Sequence, residues 1–224
     1  MKRSEINSII EGAVRFFKEM NFNLPPFAFY SIDDWQKVKK QAQEIIDLQL
    51  GWDITDFGLG DFFQKGLVLF TLRNGKFQSK EYPKPYCEKI MMVREKQVTP
   101  FHYHKNKMED IINRGGGELI IQLYNSTTDD ELDDTTVEVH CDGIKKHVPA
   151  GGELALKPGE STTFPSRLYH AFWGEGGNVL VGEVSLTNDD EHDNFFYGSI
   201  GRFPEIDEDV KPAYLLCNDY NKFL

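Results

Sequence analysis

Apolar residues in the first part of the chain recur with the period of a helix. Ile6, Ile9, Ile10, Ala13, Val14 and Phe17 fall at i, i+3, i+4 and i+7, which puts one apolar stripe on a helix over residues 4–20. Leu24-Pro25-Pro26 ends it, because proline has no backbone donor to continue the ladder. Ser31 starts a second helix, with Asp34 three positions on in the reciprocal capping pattern. Trp35, Val38, Ala42, Ile45 and Ile46 give that helix one apolar face. The Gly- and Asp-rich run from Asp53 to Asp61 reads as a connector.

From Gly66 onward short, partly alternating apolar runs replace the helical spacing. Strands are expected over 66–73, 89–95, 97–104, 117–124, 135–141, 144–150, 152–159, 161–165 and 178–187. Turn signals separate them: Asn74-Gly75, Gly115-Gly116-Gly117, Asp142-Gly143, Pro158-Gly159 and Gly176-Gly177. Many short strands at this spacing imply a mainly β chain folded as an antiparallel jelly roll. The organisation that follows has three parts. Residues 1–60 form a helical extension packed on the barrel, 61–187 form the barrel, and 188–224 form an ordered extension at its mouth.

Composition narrows the partners. A formal net charge of −11 argues against nucleic acid or an anionic membrane surface. No run approaches the roughly 20 apolar residues of a membrane span, and the basic start MKR leads into no apolar signal segment. The three cysteines, Cys87, Cys141 and Cys217, are odd in number and widely spaced. They read as free thiols in a reducing cytoplasm.

The chemistry concentrates in His102, His104, Glu109 and His170. Histidines two apart on a strand share a face. The short segment Lys105–Met108 turns the chain so that Glu109 starts the neighbouring strand, and a distant strand brings in His170. Three imidazoles and a carboxylate make a mixed N/O metal site with positions left open for substrate. Mn²⁺ suits such a set, and Fe²⁺, Co²⁺, Ni²⁺ or Zn²⁺ would also bind. Two further charges interrupt apolar strands: Lys89 before Ile90–Val93, and Glu183 on the same face as Val179 and Val181. A charge there must be paired or functional. Glu183 reads either as a proton shuttle with a pKa raised by desolvation or as the partner of Lys89 or Arg94. Asp193 and Arg202 lie in the tail, where they are placed to close over the site or to face solvent.

The pattern HxH-x4-E-x6-G from His102 to Gly116, followed by G-x5-P-x4-H from Gly159 to His170, resembles the two cupin motifs. Lys96 and Arg167 stand where those motifs usually carry glycine, and Gly174 where they carry asparagine. Longer blocks are similar to the D-lyxose isomerase family: FHYHKNKMEDIINRGGGELIIQLY from Phe101, PGESTTFPSRLYHAFWGE from Pro158, VLVGEVSLTNDDEHDN from Val179, IGRFPEIDED from Ile200 and LLCNDY from Leu215. The likeness extends through the N-terminal helices and covers nearly the whole chain.

That resemblance implies a cupin-type double-stranded β-helix and a Mn²⁺-dependent aldose–ketose isomerase. Such an enzyme interconverts D-lyxose and D-xylulose, and D-mannose and D-fructose, and the architecture is usually a homodimer. It implies His102, His104, Glu109 and His170 as metal ligands. Lys89, Glu183, Asp193 and Arg202 are then the proton-transfer and sugar-binding set. The competing class is a metal-bearing cupin that only binds a small sugar, or an oxygenase built on the same four ligands.

Overall fold

The computed structural model describes residues 1–224. The first helix forms as α1 (Arg3–Glu19) and buries Ile6, Ile9, Ile10, Ala13 and Phe17. Each isoleucine and Phe17 contributes about 1.5–3 kcal/mol on burial, so packing rather than propensity holds α1 in place. Ser31 caps the second helix as expected: Ser31 Oγ accepts from the Asp34 amide at 3.2 Å, and Asp34 Oδ2 accepts from the Ser31 amide at 3.2 Å. That helix is shorter than its apolar face suggested. It stops as α2 (Ile32–Val38), and a separate α3 (Gln43–Asp47) follows. The Gln41 and Ala42 amides both bond back to the Val38 carbonyl, at 2.8 and 3.0 Å, which tightens the turn and ends the helix.

Twelve strands make the rest: β1 (Gly51–Thr55), β2 (Leu67–Arg73), β3 (Tyr86–Val93), β4 (Thr99–His104), β5 (Glu109–Ser126), β6 (Leu132–Asp133), β7 (Val137–Cys141), β8 (Ile144–Val148), β9 (Glu153–Leu156), β10 (Ser161–Phe164), β11 (Leu168–Leu186) and β12 (Asn194–Phe196). They pair antiparallel in the order β1-β2-β3-β11-β5-β10-β7-β8, with β4 on β11, β12 on β4, and β6 and β9 on β5. The fold is mainly β, a jelly roll of the cupin type. Its interior cluster includes Leu69, Met91, Ile111, Ile121, Leu123, Phe164, Val179 and Val181. A second cluster sits between α1 and the outer side of β1, β2, β3 and β11, through Trp52, Phe70, Ile90, Met92 and Leu180. No helix is long and apolar enough to cross a membrane.

Two expectations fail here for physical reasons. Most of the connector's start is not a loop. Gly51–Thr55 is the fully buried strand β1, paired along its length with β2. The polar residues that suggested a connector, Asp53 and Thr55, are buried; Thr55 lines the cavity described below and Asp53 pairs with Arg202. The glycine triplet is likewise no turn. Gly115–Gly117 and Gly176–Gly177 lie inside β5 and β11, which pair across both runs with register shifts at the glycines. A Cβ on Gly117 would stand 2.4 Å from the Glu175 carbonyl oxygen, and one on Gly116 would stand 2.1 Å from that of Asn178. The glycines let two long strands bend past each other in contact, as bulges do.

The motif departures also acquire a reason. Lys96 and Arg167, where cupin motifs carry glycine, both have a left-handed backbone, with φ of 60° and 65°. Arg167 uses its side chain to pair with Asp130 at 2.8 Å. Lys96 is exposed and forms no side-chain contact of that kind. Lys96→Gly is therefore expected to stabilise the protein by about 0.5 kcal/mol, the relief of left-handed strain less the added chain entropy. Urea unfolding measures it, and a lowered midpoint would refute the strain.

Candidate active site

Two strands bring the histidines together. His102 and His104 alternate on β4 and face the same way, and His170 on β11 is the direct cross-strand partner of His102. Their ligand atoms lie within 4.8 Å of one another. Glu109 opens β5, but β4 and β5 are not hydrogen-bonded neighbours as the sequence suggested. Glu109 pairs instead opposite Phe164 of β10 and Ser185 of β11, and reaches the histidines across the barrel interior. Its Oε2 lies 3.4 Å from His104 Nε2 and its Oε1 lies 3.2 Å from His170 Nε2.

Hydrogen bonding fixes which ring nitrogens face inward. The Nδ1–H groups of His102 and His170 donate to the carbonyls of Pro100 and Leu168, at 2.8 and 3.0 Å. The Nε2 lone pairs are thereby left pointing into the site. Burial pushes both imidazoles down: His102 falls well below the usual histidine value, and His170 to about 4 despite the opposing pull of Glu109. Both rings are neutral at pH 7. Glu109 is ionised, since Lys107 and His104 together outweigh the effect of its burial. A bare imidazole lone pair and a carboxylate oxygen 3.2 Å apart repel unless a cation lies between them, and Glu109 Oε1 is buried with no hydrogen-bond donor. Donors at this separation fit a shared ion bound at about 2.0–2.2 Å from each. The four residues fit a divalent metal.

A small cavity of about 50 Å³ opens beside them. Its polar lining includes Lys89, Glu183, Asp190, Asn194 and Arg202, against Phe57, Leu69, Met91, Phe172 and Phe196. Of the sequence-expected residues, Lys89, Glu183 and Arg202 therefore meet the metal-site histidines in one space. Glu183 Oε1 lies 3.4 Å from Lys89 Nζ and 2.7 Å from Lys107 Nζ. Its carboxyl does not have the raised pKa expected from desolvation. Burial pushes it up, but Lys107 and Lys89 pull it below the ordinary glutamate value. Glu183 is thus ionised at pH 7 and free to accept a proton, while its two ammonium neighbours weaken it as a base. Arg94, its other candidate partner, sits instead over the Phe63 ring. Asp193 does not face the cavity: its carboxylate turns into the backbone of Asn106 and Lys107. Thr99 Oγ1, Asn194 Oδ1 and Arg202 Nη1 are buried without a partner in the protein, and all three residues line the cavity. Buried polar atoms need partners, and a polyhydroxylated ligand supplies donors and acceptors for all of them.

The family model for D-lyxose isomerase matches residues 1–220. The chain is 51% identical over its whole length to the full D-lyxose/D-mannose isomerase of Serratia proteamaculans. It is 49% identical, again over both whole chains, to the protein of the same name from Escherichia coli O157:H7. The chain belongs to the D-lyxose isomerase family.

It is accordingly an enzyme of the aldose–ketose isomerase class. Solved structures place the family's fold. The L-ribose isomerase of Acinetobacter sp. DL28, in complex with L-ribose, superposes with a TM-score of 0.59 at 14% identity, covering 92% of this chain and 98% of that one. That of Geodermatophilus obscurus gives 0.60 at 16% identity, covering 89% and 93%.

Three site residues of this D-lyxose isomerase family member escape a reading of its sequence: Lys107, Asp53 and Asp190. Lys107 sits in what reads as a polar turn, yet it is 2% exposed and bridges Glu109 at 2.8 Å and Glu183 at 2.7 Å. Its one available signal is the alternation with Glu109, which puts both side chains on one face. Asp53 and Asp190 flank Arg202, the first in direct contact and the second 3.4 Å away. Burial opposes ionisation of Asp190, but Arg202, Lys89 and Lys107 overcome it and hold its carboxyl far below the usual range. A folded-state pKa depressed in this way stabilises the protein above the unfolded value near 4 and is lost as pH falls below it. Arg202→Met is expected to destabilise the protein at pH 7 by about 3–5 kcal/mol, since it strands two buried carboxylates. It is also expected to flatten the loss of stability between about pH 5 and pH 2. Thermal unfolding across that range tests both, and an unchanged acid slope would remove Asp190 from the account.

Proposed function

We propose that the enzyme interconverts D-lyxose and D-xylulose, and also D-mannose and D-fructose, with Mn²⁺ as its metal and proton transfer through an enediol as its route. One observation carries the proton-transfer reading. An ionised carboxylate, Glu183, stands in the barrel interior between two ammonium groups, one of which touches the ligand Glu109. A site that only bound a sugar would have no use for a buried base. When bound by His102, His104, Glu109 and His170, the ion supplies Lewis acidity toward the sugar's carbonyl and adjacent hydroxyl oxygens. Imidazole and carboxylate donors without a thiolate support Mn²⁺.

The chain's own groups do the rest. Glu183 takes the proton from C2 of the open-chain aldose and returns it to C1 of the enediol. Lys107, fixed between Glu109 and Glu183, keeps the base ionised and in place. Lys89 donates to Asn188 Oδ1 at 2.7 Å and lies at the same carboxylate, in reach to move a proton between O1 and O2. Arg202, with Nη1 unpaired, and Asp190 orient the remaining hydroxyls.

The test is direct. Protein stripped with chelator and reloaded with Mn²⁺ is given D-lyxose, and D-xylulose is followed. Ketose that appears only with metal supports the reading; no ketose from lyxose or mannose with metal demonstrably bound removes it.

The same reading has the enzyme work in the cytoplasm as a homodimer. Three free, buried cysteines support a reducing compartment. An uncovered strip on the outside of the sheet supports a second copy: Tyr86, Met108, Val184 and Leu186 are 42–50% exposed, beyond the part of that face shielded by α1. Sedimentation is expected to give twice the chain mass for the wild type and the single mass for Val184→Lys. A monomeric wild type would end the dimer reading.

A further inference from the structure

The segment that crosses the barrel mouth, residues 189–196, faces two ways. Asp190 and Asn194 point into the cavity. Asp193, between them, points out of it. Its Oδ1 accepts from the Asn106 amide at 2.8 Å and from Asn106 Nδ2 at 2.9 Å, and its Oδ2 accepts from the Lys107 amide at 3.1 Å. Its backbone carbonyl accepts from the Lys105 amide at 2.9 Å. The amides of Lys105, Asn106 and Lys107 thus all end on one residue, which is 6% exposed. Four hydrogen bonds from three successive residues end on this one side chain and its carbonyl, so this turn is held firmly.

What the turn delivers is the Lys107 ammonium, 2.8 Å from Glu109 and 2.7 Å from Glu183. A lysine side chain has four rotatable bonds and high rotamer freedom, so its head is placed no better than the backbone that bears it. We propose that Asp193 is a positioning residue for the isomerisation: it locks the 105–107 turn so that Lys107 reaches both carboxylates, and it acts on the reaction through Lys107 alone. The inference rests on the reading of Glu183 as the proton-transfer base. It gives the 189–196 segment a second task, since the residues that bring Asp190 to the sugar also set the base.

A double-mutant cycle with an amide-exchange measurement tests it. In Mn²⁺-loaded protein, Asp193→Ala is expected to lower kcat by about 10²-fold, as misplacement of a catalytic group by about 1 Å does, with KM moved by less than about threefold. Lys107→Met loses at least as much. The double variant should lose no more than about threefold beyond Lys107→Met, because residues that act through one another are not additive. Asp193→Asn keeps an acceptor oxygen and is expected to recover most of the loss. In metal-free protein, Asp193→Ala should speed hydrogen exchange at the Asn106 and Lys107 amides at least about tenfold while the amides of α1 are unchanged.

Losses that multiply in the double variant, or unchanged exchange at those two amides, overturn the proposal. If Asp193→Ala does not fold, Asp193→Ser, whose short side chain no longer reaches the Asn106 and Lys107 amides, is carried through the same cycle, and additivity there overturns it equally. A wild type that turns over no aldose counts against the proposed reaction. The exchange result still decides whether Asp193 holds the turn.

Discussion

Glu183→Gln is expected to lower turnover by about 10³-fold or more while leaving the metal in place. The substitution keeps the shape of the side chain and its contact with Lys107, but removes the group proposed to accept the C2 proton. Glu183 is not among the four residues that fit the ion, so metal content should match the wild type. The protein should also stay folded, because Lys107 retains Glu109 at 2.8 Å and Lys89 retains Asn188 at 2.7 Å. The decisive readout is isotopic. In deuterated water the wild type should place solvent deuterium at the transferred position, and the variant should not. Undiminished exchange in the variant would take Glu183 out of the base role. No solvent deuterium in the wild-type product would favour a hydride shift instead.

The second large effect concerns the ion itself. His170→Ala removes a buried imidazole whose Nε2 faces Glu109 at 3.2 Å. Three donors remain, and metal affinity is expected to fall by at least about 10²-fold, since even loss of a group that merely supports a ligand lowers it 10–100-fold. Activity at a fixed low metal concentration should fall in step. An independent measure is thermal: a metal present at about 100 times its dissociation constant stabilises the native state by about 2.7 kcal/mol. The wild type should therefore gain several degrees in Tm on addition of Mn²⁺, and the variant should not. An equal gain in both would move the ion away from His170.

Much of this was legible in the chain and some was not, for reasons that differ by residue. The histidines could be read because strand alternation ties spacing to facing, and His102 with His104 obeys it. Glu183 could be read because a charge among Val179, Val181 and Val184 violates the pattern around it. Its charge state could not, because Lys107 lies in a turn far away in sequence, and the pull of its ammonium against desolvation exists only once the fold brings them together. The glycine runs misled for a related reason. A sequence states that Gly115–Gly117 permits unusual backbone, but whether that freedom serves a turn or a close crossing depends on the partner strand. Asp53 and Thr55 looked like connector residues because a strand that lines a polar cavity carries the composition of a loop. Asp193 was legible as a tail carboxylate near the site; that it faces the backbone and not the sugar depends on how the 189–196 segment crosses the mouth.

The pairing of β4 with both β11 and β12 has a consequence for the order in which the molecule comes into being. His102 gains its strand neighbours only from residues near 170 and near 196, so nearly the whole polypeptide must have emerged from the ribosome before the ligand set can close. Contacts of such long sequence separation form late and slowly. A nascent or truncated chain therefore carries isolated histidines but no ion trap, and metal loading becomes a step of maturation, taken by finished molecules from the ions then at hand.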